Sequence, residues 1–508
     1  MQRESQLPLI FAADFERGLY MRFNSTTAFP HAMAFAATGK PSYVGDLARV
    51  VAREARAIGV QWDFFPVADV NSAPANPIIN TRSFGEDPQQ VSEFVTAFLA
   101  PARENGMLTT VKHFPGHGNE NTDSHIAAAR VISDRAHLDR VELPPFRAAI
   151  NAGVDAVMTA HVTAPALDPE PGRVATTSPA IVTHLLREEL GFQGIIVTDA
   201  MDMNAVTRLY PNGRAVVEAI KAGNDVIVIP ADIDASYNAL LEAVRSGEIP
   251  QSRIDVSVLK VLHAKASVGL HKARVVDMNN VANVIARPEN LALAQRIADQ
   301  AVTLVRENGQ VLPLKRSGTN HTGGAYSPAG QGGGRLLAVV LTDDVRSDIG
   351  HTLERQLRAR APDANILFVD PHMAAMLGPA AVEAAQNASE VVIATLVNPT
   401  AGKIARVQGS YTNSVSLDDE SAGLVHAILE HAGAKTVLVS LGNPYVATSF
   451  PEVENYLCTF SNAPVSESSA VKALFGETAI HGRLPVTLPA VADRGAGLDR
   501  PAVTARRR

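Results

Sequence analysis

A chain of 508 residues that is 46% hydrophobic and 19% charged carries enough apolar mass for at least one large core, and its length allows about two to four domains. Its 45 basic against 52 acidic side chains leave a formal charge of −7, which gives no basic footprint and argues against nucleic acid as a partner. A single cysteine, Cys458, excludes an internal disulfide and a thiolate zinc site, and no run approaches the roughly 18 apolar residues of a membrane span.

In chain order, short apolar runs over 9–14, 62–70, 107–114, 155–162, 194–200 and 225–230 alternate with amphipathic stretches over 43–58, 91–102, 145–152, 181–190, 214–222 and 236–245. This is the order of parallel strands joined by helical crossovers. In 43–58, for example, Val44, Leu47, Val51, Ala55 and Ile58 recur at spacings of three and four, the stripe of a helix with one buried face. Six such units in about 260 residues fit a (β/α)8-like TIM barrel better than an open sheet, because that fold takes about 250 residues. A long helical pattern over 253–268 follows, so residues 1–270 are predicted to form the barrel domain. The polar stretch 271–290 lacks clean periodicity and reads as a linker.

Residues 291–508 read as a second α/β domain, an open α/β/α sandwich. Its predicted helices cover 292–305, 373–386 and 422–432, and its strands 336–342, 365–370, 391–398, 436–442 and 456–461. The Gly-, Ser- and Thr-rich stretch 317–334 predicts a surface insertion. It has no Gly-Lys-Ser or Gly-Lys-Thr ending, which argues against a phosphate-binding loop.

Barrel enzymes carry their chemistry on the loops that follow the strands. Asp14, Lys112, His113, His161 and Asp199 all stand at predicted strand ends. Any one of them is explained equally by a helix cap or a hydrogen-bonded strand terminus, but five together point to a site. Asp69 and Asp202 are read as local hydrogen-bonding groups, and His161 either lines the pocket or ends its strand. The segment Lys112-His-Phe-Pro-Gly-His-Gly-Asn-Glu-Asn-Thr-Asp-Ser-His125 puts three histidines, a lysine and an aspartate on one Gly- and Pro-broken loop. Such a composition does not build a core. One reading is metal ligation by His113, His117 and His125 with Asp123. Another is proton transfer, with Asp123 fixing the tautomer of His125. Spacing alone does not separate them, and a loop whose histidines merely satisfy its own backbone is the bland alternative.

The stretch Lys112-His-Phe-Pro-Gly-His-Gly followed by Asp123-Ser-His125 resembles the signature of family 3 glycoside hydrolases of the β-N-acetylglucosaminidase type. The same order of blocks holds for Asp14-Phe-Glu-Arg-Gly with Arg22, Phe29-Pro-His-Ala-Met-Ala, Pro66-Val-Ala-Asp-Val-Asn, Arg82-Ser-Phe-Gly-Glu-Asp-Pro and Thr198-Asp-Ala-Met-Asp-Met. Thr303-Leu-Val-Arg-Glu-Asn-Gly with Leu312-Pro-Leu, and Gly482-Arg-Leu-Pro-Val-Thr, resemble the start and end of the family's second domain. The resemblance implies Asp199 as nucleophile, His125 as acid/base and Asp123 as its orienting partner, with Asp14, Arg22, Arg82, Lys112 and His113 holding the sugar. It implies a retaining exo-glycosidase that needs no metal or cofactor, acting on β-linked GlcNAc in muropeptide fragments or chitin oligomers.

Rival readings are a phosphorylase using the same residues, a β-glucosidase, a metal-dependent hydrolase and a non-catalytic sugar-binding protein. The chain departs from the family pattern twice. Arg17 stands where the family usually has glycine, and only eight residues precede the first strand, so either the start lies upstream or the barrel lacks its first strand and helix and closes imperfectly. Compartment and oligomeric state are left open by the sequence.

Overall fold

The structure, a computed structural model, describes residues 1–120, 129–211, 213–317, 336–399 and 404–503. Two compact units emerge, one from 1–27 and 40–290, the other from 28–39, 291–399 and 404–503.

In the first unit six strands, Ala12–Ala13, Trp62–Asp63, Leu108–Phe114, Ala156–Thr159, Ile195–Ala200 and Val226–Val228, lie side by side in chain order. Every pairing is parallel, with Ala12 opposite Trp62, Trp62 opposite Leu108, Ala156 opposite Ile195 and Val197 opposite Val226. Between them run the helices Ser42–Ala57, Pro88–Glu104, Leu143–Asn151, Ala180–Glu189 and Arg214–Ala222. This is a TIM-like half barrel, because parallel neighbours require crossovers and each crossover here is an amphipathic helix covering the sheet. Among the described residues the sheet order runs from Ala12–Ala13 to Val226–Val228 without closing on itself. Trp62, Leu108, Met158, Ile195 and Val197 pack with Val268 and Leu270 into one core cluster.

The amino ends of the strands are held by two carboxylates, one half-buried and one buried. Asp155 accepts from the Thr109 N–H at 2.9 Å and from its hydroxyl at 2.8 Å. Asp225 accepts from the Ile196 N–H at 2.9 Å and the Ser257 hydroxyl at 2.6 Å, and it pairs with Arg187 and with Lys260 at 3.1 Å. Within the polar stretch 271–290 a short helix, Met278–Val284, starts at Asp277, whose carboxylate accepts from the Asn279 N–H at 3.0 Å.

The second unit is a six-stranded sheet in the order Asn365–Val369, Leu336–Leu341, Glu390–Thr395, Thr436–Ser440, Tyr456–Cys458, Thr303–Arg306. Leu337, Val339 and Leu341 feed one core cluster and Leu336, Ala338 and Val340 the other. Alternate residues of one strand therefore serve both faces, as a sheet covered by helices on two sides requires. The helix Pro288–Ala301 ends earlier than its sequence periodicity suggests. After it the β-branched run Val302, Thr303 and Val305 forms the strand Thr303–Arg306, antiparallel to Tyr456–Cys458, because pairing at the sheet edge outweighs the helical pattern. No described helix is long and apolar enough to cross a membrane.

Candidate active site

Asp14, Lys112, His113, His161 and Asp199 stand on or just after the carboxyl ends of neighbouring parallel strands. Lys112 is 2% exposed, and its Nζ donates to Asp14 Oδ1 at 2.8 Å and lies 2.8 Å from Glu16 Oε1. Arg22 reaches the other oxygen of Asp14 at 2.7 Å. Arg82, from the turn Asn80–Arg82, grips Glu16 with two N–H groups at 3.0 and 2.8 Å. A two-pronged hold of this kind fixes both partners in orientation as well as distance.

Burial opposes ionisation of Glu16, but Arg82 and Lys112 hold its carboxyl well below the usual range. Burial likewise pulls the Lys112 ammonium down, and Asp14 and Glu16 more than offset it. The wall is therefore fully charged at neutral pH. It presents donors on Lys112, Arg82 and Arg22 and an acceptor on Asp14, the set that recognises vicinal hydroxyls.

His113 is oriented by Asp69. The carboxylate accepts from the His113 backbone N–H at 3.2 Å, lies 2.7 Å from its Nδ1, and accepts the His117 N–H at 2.8 Å. Nδ1–H therefore donates to Asp69, and Nε2, 3.5 Å from an Arg82 nitrogen, is left facing the charged wall. Asp69 thus acts locally, as its sequence context suggests, while Asp202 is exposed.

Asp199 commits one oxygen to the Ala200 N–H at 2.7 Å. Burial would raise its pKa, but His113, His161, the Ala200 N–H and Lys112 together hold it below the ordinary carboxylate value. It is an ionised carboxylate partly screened from water, the state an attacking carboxylate needs. His161 is 1% exposed, with Nε2 donating to the Ala200 carbonyl at 2.9 Å and Nδ1 2.8 Å from the Thr176 hydroxyl. With both ring nitrogens used, His161 ends its strand by clamping the peptide next to Asp199. Burial lowers its pKa, against the field of Asp199.

The loop after His113 folds back on buried acids. A side chain at Gly116, at φ +126°, would lie 2.7 Å from Glu142 Oε2, so this position needs glycine both for space and for conformation. His117 is buried, its Nδ1 3.7 Å from Glu120, and burial drives its pKa down to about 4. His125 and Asp123 lie outside the described residues. Among the described residues no group of three His, Cys, Asp or Glu side chains is arranged to hold a metal ion.

Two site residues were given no role by the sequence. Glu16 joins Arg82 to Lys112; it lies inside the block Asp14-Phe-Glu-Arg-Gly, where its signal is its place two residues after the strand-end Asp14. Asp63 is wholly buried beneath the wall, where Oδ1 accepts the Phe15 N–H at 3.0 Å and Oδ2 has no partner. Burial pushes its pKa well up; its signal is a lone carboxyl inside an apolar run.

Residues 1–264 match the model of the glycosyl hydrolase family 3 N terminal domain, and residues 302–505 that of the family 3 C-terminal domain. The chain is 30% identical over 504 residues to a β-N-acetylglucosaminidase/β-glucosidase of Cellulomonas fimi, covering 96% of this chain and 85% of that protein. It is 29% identical over 530 residues to β-hexosaminidase A of Pseudoalteromonas piscicida, covering 96% and 84%. The solved structure of a glycoside hydrolase family 3 β-N-acetylglucosaminidase from Paenibacillus sp. str. FPU-7 superposes with a TM-score of 0.81 at 30% identity, covering 94% of this chain and 86% of that one.

Proposed function

We propose that this chain, which belongs to glycosyl hydrolase family 3 and is a glycoside hydrolase, is a retaining exo-β-N-acetylglucosaminidase that removes terminal β-linked GlcNAc from muropeptide fragments or chitin oligomers. Residues 1–270 are the catalytic domain, 271–290 the linker and 291–508 the α/β sandwich. Asp199 attacks the anomeric carbon as His125 gives its proton to the departing glycosidic oxygen, which breaks the C–O bond and leaves a glycosyl ester on Asp199. Water then gives a proton to His125 and attacks the same carbon, freeing Asp199 and the sugar with its configuration retained. Asp123 holds His125 in the tautomer this exchange needs. Asp14, Arg22, Arg82, Lys112 and His113 bind the sugar hydroxyls and the acetamido oxygen.

The observation that carries this reading is the ionised Asp199 at a strand end, electrostatically coupled to Lys112 and His113 of the charged wall. The names of the full-length relatives supply the sugar. A His acid/base fits the scheme because an imidazole titrates near neutrality without a large burial shift.

The test is turnover of aryl β-GlcNAc against aryl β-glucose, with and without inorganic phosphate, on the wild type and on Asp199→Asn. Hydrolysis of the GlcNAc substrate, lost by several orders of magnitude in Asp199→Asn with the fold intact, supports the proposal. GlcNAc-1-phosphate as the main product would replace hydrolysis by phosphorolysis. Full activity of Asp199→Asn would remove the assigned nucleophile.

A further inference from the structure

Glu142 ends the turn Leu138–Glu142, just before the helix Leu143–Asn151, and it packs against the loop that follows His113. A side chain at Gly116 would lie 2.7 Å from Glu142 Oε2 and 2.8 Å from its Cβ, so nothing stands between acid and loop. Glu142 is 1% exposed, yet among the described residues neither of its carboxyl oxygens meets a hydrogen-bond donor. His137 Nε2 is 3.8 Å from Oε1, too long for a hydrogen bond. The Gly116 N–H is spent on the His113 carbonyl at 2.8 Å. Glu120, later in the same loop, is 4% exposed, with no donor at either oxygen among the described residues and Oε2 3.7 Å from His117 Nδ1. Of the three acids touching this loop only Asp69 is satisfied, by the His113 and His117 N–H groups and the His113 ring.

A buried carboxylate without donors is far costlier than the neutral acid, which has no charge to desolvate. The neighbouring elements supply no counterion. Asp139 on the same turn is held by Arg135 and Arg147, and Arg140 is exposed, as are Glu93, Arg103 and Glu104 on the helix Pro88–Glu104 packed against that turn. Burial raises the pKa of Glu142, His137 opposes the rise and Asp69 adds to it.

We infer that Glu142 is a positioning residue: as a neutral acid it supports the stretch from His113 to His117, and its ionisation releases that stretch and ends activity at alkaline pH. On ionisation its proton passes to solvent, and the carboxylate must then gain donors, from water or from the His137 ring. Either requires the side chain to leave Gly116. The bond from the Gly116 N–H to the His113 carbonyl carries the displacement to His113, which holds the sugar. The inference rests on the reading of His113 as a sugar-binding residue.

The experiment compares the full chain with Glu142→Gln, which cannot ionise, from about pH 4 to about pH 9. Stability is read from Trp62 emission in denaturant, and function from kcat/KM for aryl β-GlcNAc. A raised folded pKa stabilises fully below the unfolded value, and that contribution is lost as pH rises through the folded value. The ratio of unfolding constants, wild type over Glu142→Gln, should therefore climb by up to about tenfold per pH unit above about pH 4.3 and level off at the folded pKa. The kcat/KM ratio, Glu142→Gln over wild type, should be flat below that break and rise by up to about tenfold per pH unit above it. Any limb set by His125 is common to both chains and divides out. A stability ratio that is flat with pH, or a kcat/KM ratio that is flat across the range, overturns the inference and leaves the proposed hydrolase standing. Where Glu142→Gln does not fold, Glu142→Met supplies the same two ratios. Absence of turnover on any substrate sinks the hydrolase assignment, and calorimetric GlcNAc affinity then replaces kcat/KM: a ratio rising above the break keeps the inference, and a flat one overturns it.

Discussion

Replacing Glu16 by Gln keeps the volume of the side chain and removes the charge that Arg82 and Lys112 share. Both cations lie 2.8 Å from Oε1, so each pair is worth about 6 kcal/mol at an effective dielectric of ~20, before the cost of burying the charges. Several kcal/mol per ion go back to desolvation. Lys112 keeps Asp14, whereas Arg82 is left with the Ile78 carbonyl at 3.1 Å and a longer contact to His113. The loss therefore falls mainly on Arg82, and breaking one buried pair in this way costs about 3 kcal/mol. The assay is built into the chain. Trp62 is its one tryptophan, 3% exposed on a strand of the first unit, with its indole N–H donating to the Thr110 hydroxyl at 2.6 Å. Its emission in a denaturant titration follows the first unit, which matters because a two-unit chain has no single unfolding transition. A double-mutant cycle with Arg82→Gln should return a coupling of at least about 1.5 kcal/mol, and kcat/KM should fall about tenfold or more as the donors lose their aim. A Trp62 midpoint equivalent to less than about 0.5 kcal/mol of change, or strict additivity in the cycle, would refute the view that Glu16 organises the wall.

Asp63 titrates in the opposite sense from Glu16. Its folded pKa is raised, so its contribution to stability is full below the unfolded value of about 4 and is lost as pH rises through the folded value; Asp63→Asn should match the wild type near pH 4 and gain on it at pH 7 to 8, read from the Trp62 midpoint. Asp225→Ala strands Arg187 and Lys260 and orphans the Ile196 N–H, for an expected loss of about 3 to 5 kcal/mol in the same titration, and a loss under about 1 kcal/mol would contradict it. Because Asp199 is held below the usual carboxylate pKa in part by Lys112, the acid limb of kcat/KM should lie below about pH 4, and Lys112→Gln should move it upward.

Most strands of both units were legible because they are short apolar runs set off by polar or turn residues, and all six runs of the first block became parallel neighbours in chain order. Helix 214–222 was recovered with its bounds. The strand Thr303–Arg306 was not, since Ala294, Ile297, Ala301 and Val305 recur at spacings of three and four, a rhythm that runs through Val305 without a breaker. Among the site residues, Asp14, Lys112, His113 and Asp199 announced themselves by standing after apolar runs. Glu16 and Asp63 did not, for a physical reason. Their importance lies in which charges surround them, and Glu16 meets an arginine 66 positions away in sequence. Periodicity reports which face of an element is buried, but not which buried charge is neutralised by which distant partner.

The two ends of the half barrel use the same chemistry to opposite ends. At the amino ends, Asp155 and Asp225 spend both charge and hydrogen-bonding capacity on the protein itself: backbone N–H groups, hydroxyls and cations converge on them. A carboxylate so satisfied stabilises the fold and has little left to offer a ligand. At the carboxyl ends the groups are charged but incompletely used. Asp199 has one oxygen on a neighbouring N–H, and His113 has Nδ1 on Asp69 with Nε2 toward the wall. Such a surface is held less stably than a saturated one, and the deficit is what substrate binding makes good. Function therefore lies less in the number of charged groups than in which of them the fold leaves unsatisfied.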